Sequence, residues 1–275
     1  MFPFKTALNA STLFPYHLGI KDQARIAAEA GYDGLELWVK DLHSYADRGG
    51  NLQDLRRYLS DTGIAVVNAI AFFAWTDADG EVREHAFRQA KKEMRMLAEI
   101  GCAAVAAPPY GNVEHVPLDL IAANFARLYE LANEAGIKPY LEFWGRAKKL
   151  SRISEALYVL AESGVPDGQL LLDPFHMYTG GSSVESVAYI NGKSIGIVHA
   201  NDYPDHPERS VIADRDRVFP GEGNAPSQKL AKLLYENGYR GYLSLELFIE
   251  DYGKKSALEV AKLGIGSLKS AYDVR

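Results

Sequence analysis

Eight short apolar runs recur along this 275-residue chain, each followed by a polar turn and a longer stretch with helical spacing. No other feature constrains the fold as strongly. The runs begin near Lys5 (Thr-Ala-Leu-Asn), Gly34 (Leu-Glu-Leu), Ile64 (Ala-Val-Val-Asn-Ala) and Cys102 (Ala-Ala-Val-Ala). Four more begin near Tyr140 (Leu-Glu-Phe), Leu170 (Leu-Leu-Asp), Ile195 (Gly-Ile-Val-His) and Tyr242 (Leu-Ser-Leu-Glu). Runs this short, apolar on both faces, suit parallel strands covered by helices. The intervening helices are expected over Lys21 to Ala30, Leu52 to Asp61, Glu81 to Ile100, Leu118 to Ala135, Ile153 to Ser163, Ser227 to Asn237 and Lys254 to Ser270. A weaker sixth helix is expected near Val184 to Ile190. Gly31, Gly101, Gly136, Gly164 and Gly238 each stand between a helix and the next strand, where a left-handed residue ends the helix without a Cβ penalty.

Alternating β and α with short returns means a parallel sheet. Eight such units favour closure into a (β/α)8 TIM barrel over an open doubly wound sheet, and no G-x-G-x-x-G follows the first strand. One barrel takes about 250 residues, and no composition shift or linker divides the chain, so residues 1–275 are expected to form one catalytic barrel domain. The long stretch Asn201 to Ala225 then becomes a loop on the catalytic face, where loops of such length are usually functional or disordered.

With a net charge of −6, a nucleic-acid partner that depends on phosphate neutralisation is not expected. The lone Cys102 lies in an apolar run and rules out both an intramolecular disulfide and a thiolate zinc site. The N-terminal residues do not read as a signal peptide and no run is long enough to span a bilayer. A cytoplasmic protein without a membrane partner is expected, and self-association is possible.

In a barrel of this kind the chemistry gathers at the C-terminal ends of the strands. Glu142, Asp173, His199 and Glu246 each stand at the exit of an otherwise apolar strand. Any one alone reads as well as a loop cap or a hydrogen-bonded structural residue. Four on successive strands read differently, because converging buried carboxylates repel unless a cation lies among them. Three carboxylates and one imidazole form a hard, oxygen-rich set, suited to one divalent ion such as Mn²⁺, Mg²⁺ or Co²⁺, with Zn²⁺ also admissible. His176 can reach a substrate or stabilise its own loop. Arg217 can hold a substrate oxygen, pair with a ligand carboxylate, or be a solvated surface residue. Phe72, Phe73, Trp75 and Trp144 serve equally as pocket wall or as core.

The set Leu141-Glu142-Phe143, Leu172-Asp173-Pro-Phe-His176, Val198-His199-Ala-Asn-Asp202, Arg217-x-x-Pro-Gly-x-Gly223 and Leu245-Glu246 resembles the xylose-isomerase-like sugar isomerase/epimerase superfamily across essentially the whole chain. The resemblance implies a metal-dependent isomerase or epimerase of a ketose or sugar phosphate that works through a metal-stabilised enediolate. It implies that Glu142 and Glu246 are both ligands and the acid/base pair, that Asp173 and His199 complete the metal set (manganese foremost), and that His176 and Arg217 contact substrate hydroxyls. Glu36 matches a position that is often acidic in such enzymes, with no chemistry assigned. The Gly180-Gly181-Ser segment departs from the acidic or Asn-rich stretch of many sugar epimerases. It reads either as backbone N–H groups offered to an anion or as a flexible turn.

A dehydratase of the same superfamily, acting on a cyclic hydroxy acid, is the alternative. It would need cations for the substrate carboxylate, and Arg146, Lys148 and Lys149 just past Glu142 are the candidates. The related abasic-site endonuclease is disfavoured by the acidic charge and by His17, His43 and His85, none of which stands at a strand exit. A metal-free sugar-binding barrel is disfavoured by the complete ligand set.

Overall fold

The computed structural model describes residues 1–274 and contains all eight strand–helix units. In chain order they are β1 (Lys5–Asn9) with α1 (Ile20–Ala30), and β2 (Gly34–Trp38) with α2 (Val39–Asp47) and α3 (Leu52–Asp61). Next come β3 (Ala65–Ile70) with α4 (Gly80–Glu99), β4 (Ala104–Ala107) with α5 (Leu118–Ala135), and β5 (Lys138–Glu142) with α6 (Ile153–Ser163). Then follow β6 (Gln169–Leu172) with α7 (Pro174–Gly180), β7 (Ile195–Ala200) with α8 (Ser227–Glu236), and β8 (Tyr242–Leu245) with α9 (Ala257–Ala271).

The strands pair in parallel in the order β3-β2-β1-β8-β7-β6-β5-β4. The ring closes between β3 and β4, where Ala103 N donates to Val66 O at 3.1 Å. The five glycines that end helices all take positive φ, between 66° and 89°. Two cores result. A large one lies between the sheet and the helices, and a small one (Ala7, Leu171 and Ile197 among others) fills the barrel's interior. Cys102 is buried in the large core.

Two helices escape the periodicity reading. The helix α2 starts at Val39, straight after Trp38 at the end of β2, with no side-chain cap, so nothing local announces it. The helix α7 does carry a signal: Asp173 Oδ1 accepts from Phe175 N and His176 N, and Pro174 occupies the first turn. That is an Asp N-cap followed by a proline whose fixed φ suits the first helical position. The weak sixth helix is a 3-10 segment, Val184–Tyr189.

The long seventh loop is tied down at several points. Asp202 and Val218 form an antiparallel bridge, and the Asp202 carboxylate accepts from Tyr203 N, Gly221 N and Ala225 N. Arg146, from the loop after β5, donates to the carbonyls of Arg209, Ser210 and Ile212.

Candidate metal centre and pocket

Alternation along the strands decides which side chains enter the barrel. On β5 to β8, Tyr140, Leu171, Ile197 and Tyr242 lie in the interior layer. The residues in phase with them towards the strand ends are Glu142, Asp173, His199, Ser244 and Glu246, all buried.

Asp173, His199 and Glu246 each offer a ligand atom, and these atoms all lie within 4.8 Å of one another. His199 Nδ1 is 3.0 Å from Glu246 Oε2 and 3.4 Å from Asp173 Oδ2, yet it makes no hydrogen bond among the described residues. A buried imidazole nitrogen without a hydrogen bond, facing two carboxylates, is a donor set that fits a divalent cation. Glu142 lines the same pocket but stands outside this three-residue cluster. Among the described residues no hydrogen bond reaches its carboxylate, and its Oε1 lies 3.8 Å from His176 Nε2.

Arg217 is buried, so the solvated alternative fails. Its Nη1 lies 2.9 Å from Asp173 Oδ2 and 2.6 Å from Glu246 Oε2, while Nη2 is 2.6 Å from Asp214 Oδ1. Its guanidinium stacks over the Phe175 ring at 4.6 Å. The guanidinium thus answers the charge of two of the candidate ligands.

Behind the cluster lies a polar layer that the sequence reading left unassigned. Glu36 is completely buried and accepts from four donors. Oε1 takes Asn68 Nδ2 at 2.6 Å and His199 Nε2 at 3.0 Å; Oε2 takes Asn9 Nδ2 and Ser244 Oγ, both at 2.7 Å. Asn9 Nδ2 also reaches Glu246 Oε1 at 3.2 Å, and Asn9 Oδ1 accepts from Trp38 Nε1 at 2.9 Å. The sequence signal for Glu36 was its place as a lone acid inside an apolar strand, where an unmatched charge is costly.

In the metal-free protein these environments set the protonation states. Burial pushes Glu142 up to about 8, with the Glu246 and Asp173 carboxylates adding to it against the pull of His199. Burial would lower His199, but the Glu246 and Glu36 carboxylates outweigh it and hold the imidazole well above its ordinary value. For Asp173 burial is likewise outweighed, by Arg217 and then His176, so its carboxyl sits well below the usual range. Burial lowers His176 to about 4, with Arg217 assisting against Asp173. Glu36 stays ionised because His199, Ser244 and Asn68 together overcome its burial.

Above the cluster opens a cavity of about 1240 Å³. Trp38, Phe72, Tyr110, Trp144 and Phe248 wall it, with His176 alongside. The four candidate aromatics therefore divide. Phe72 and Trp144 face the pocket, whereas Phe73 and Trp75 are core, the latter anchored by Nε1 donating to Pro108 O at 2.8 Å.

The Gly180-Gly181 pair does not match the anion reading. Gly181 caps α7 with φ 77°, its N–H donating to Met177 O and Tyr178 O. Gly180 is a close-packing point: a Cβ there would come within 2.1 Å of Ser151 O and 3.0 Å of Gly145 Cα. Arg146, a candidate cation for a substrate carboxylate, is instead committed to three carbonyls of the seventh loop.

The chain is similar to several known proteins. An inosose isomerase of Bacillus velezensis is 29% identical over 254 residues, covering 88% of each chain. A 3-dehydroshikimate dehydratase of Pseudomonas aeruginosa is 26% identical over 259 residues, covering 90% of this chain but 39% of that protein. The crystal structure of the IOLI protein with a binding zinc atom superposes with a TM-score of 0.88 at 25% identity, over 98% of both chains. Over residues 24–271 the sequence matches the xylose isomerase-like TIM barrel family, and the chain belongs to it.

Proposed function

From that family membership we propose that the chain is a divalent-metal-dependent isomerase or epimerase of a neutral polyhydroxy ketone, with an inosose as the first candidate substrate. The observation that carries the proposal is the Asp173–His199–Glu246 cluster at the strand ends, under an aromatic-walled pocket. Those three residues, with Glu142 as a fourth, would hold the cation. When bound, such an ion supplies Lewis-acid stabilisation of the charge that develops on substrate oxygens as a C–H beside a carbonyl is deprotonated.

The chain's own groups divide the remaining work. Glu246, whose charge is met by Arg217 and His199, is placed to take the proton. Glu142, which enters the pocket from β5, would return it. The two enter from β5 and from the end of β8, with two strands between them. Return of the proton to the same carbon from the other side inverts it; return to the neighbouring carbon moves the carbonyl. The ring faces of Trp38, Phe72, Trp144 and Phe248 offer apolar surface to the C–H side of a sugar or cyclitol.

The charges of the pocket favour a neutral substrate. Arg217 is engaged by three carboxylates and Arg146 by three carbonyls. Among the described residues lining the pocket, Lys148 is the one cation left without a partner. A phosphate or carboxylate would find little to pair with. Incubation in deuterated water tests both readings. Solvent deuterium entering an inosose without loss of water supports the isomerase. Loss of water from 3-dehydroshikimate, with no exchange into inososes, supports the dehydratase instead.

A further inference from the structure

Glu36 accepts from four donors and sits behind the candidate metal ligands. A carboxylate has two oxygens and room for about four hydrogen bonds. Glu36 fills that complement with Asn68 and His199 on one oxygen and Asn9 and Ser244 on the other. It therefore has no lone pair to give a cation. The contact with His199 fixes which ring nitrogen can give one. A carboxylate saturated with donors accepts a hydrogen from Nε2, so the proton of the neutral imidazole belongs there. The Nδ1 lone pair then faces Asp173 and Glu246. Asn9 extends the same frame to a second ligand, since its Nδ2 spans Glu36 Oε2 and Glu246 Oε1.

We propose that Glu36 is a positioning residue that fixes His199 as the Nε2–H tautomer and thereby sets the affinity of the site for a divalent ion. The inference rests on the metal reading above. It differs from it in assigning the affinity partly to a residue that touches neither metal nor substrate. Carboxylate partners of ligating histidines typically contribute about 10–100-fold to affinity.

Two measurements on the full chain test it, with zinc as the probe. The first needs no variant: in zinc-loaded protein labelled with ¹⁵N at histidine, the His199 ring is expected to show a protonated Nε2 and a ligated Nδ1. A His199 protonated at Nδ1, or ligated through Nε2, overturns the proposal even if every Glu36 variant fails to fold. The second compares metal-stripped wild type, Glu36→Gln and Ser244→Ala by competition against a chromophoric chelator. Ser244→Ala removes one Glu36 donor and leaves the His199 hydrogen bond to Glu36 in place, and its zinc dissociation constant is expected to stay within about threefold of wild type. Glu36→Gln is expected to raise that constant about 10–100-fold while keeping a cooperative unfolding transition. A folded Glu36→Gln protein that binds as tightly as wild type overturns the role of Glu36 alone. Wild type that takes up no zinc overturns the metal reading and this role with it.

Discussion

Arg217 offers the sharpest energetic test of the site. Its guanidinium is buried and lies within 2.9 Å of both Asp173 and Glu246. Replacing it with Met roughly keeps its bulk against Phe175 and Phe248 but leaves those carboxylates with His199 as the nearest basic group among the described residues. Removing one partner from a buried ion pair costs about 3–5 kcal/mol, because the remaining charge stays desolvated. At about 2.1 cal/mol/K per residue, a chain of this size unfolds with an entropy of about 0.6 kcal/mol/K, so the loss corresponds to roughly 5–9 °C in Tm. The prediction applies to metal-stripped protein followed by circular dichroism in the presence of a chelator. Saturating zinc should close most of the gap, since a dication at the ligands supplies the charge that Arg217 gave. A variant as stable as wild type without metal would refute the reasoning. So would a deficit that zinc leaves untouched.

Other substitutions probe the remaining parts of the site. Glu246→Gln should keep most of the bound metal, measured by elemental analysis, yet lose about 10²–10⁴-fold in turnover as the proton acceptor disappears; near-normal turnover would remove Glu246 from the acid/base role. Gly180→Ala should destabilise the protein by at least about 1–3 kcal/mol in urea unfolding, because the added Cβ meets backbone at Ser151 and Gly145 that cannot rotate aside. In metal-free protein the Glu142 carboxyl holds its proton more tightly folded than unfolded. Its contribution to stability is therefore complete below its ordinary value of 4.5 and lost as the pH rises through about 8. The fall in Tm between pH 5 and 8 should accordingly be smaller in Glu142→Gln, and equal slopes would show that Glu142 is not raised.

Much of this molecule was written locally. The eight strands are legible because runs such as Leu170-Leu-Leu and Ile195-Gly-Ile-Val can be satisfied only by burial on both faces, and glycines such as Gly136 and Gly164 end helices wherever they stand. The inward phase of Glu142, Asp173, His199 and Glu246 follows from the period of two along each strand. These are short-range facts, and the chain states them in order. The same pattern gave no hint of α2, which starts without a capping side chain.

What only the tertiary structure decided is which of these groups meet. Glu36 and His199 are 163 residues apart, and their contact depends on barrel closure and on register. Between Leu35 and Glu36 the β2–β3 pairing shifts by one residue, bringing Asn68 rather than Val67 beside Glu36. That shift lets a carboxylate alone in an apolar strand find an amide at 2.6 Å. Similarly, nothing near Arg217 in the chain distinguishes a solvated arginine from one held between Asp173 and Glu246; the returning seventh loop makes that choice. Periodicity states which side of a strand a residue faces. The energy of a buried charge depends on what stands opposite, and that is set by strands far away in the chain.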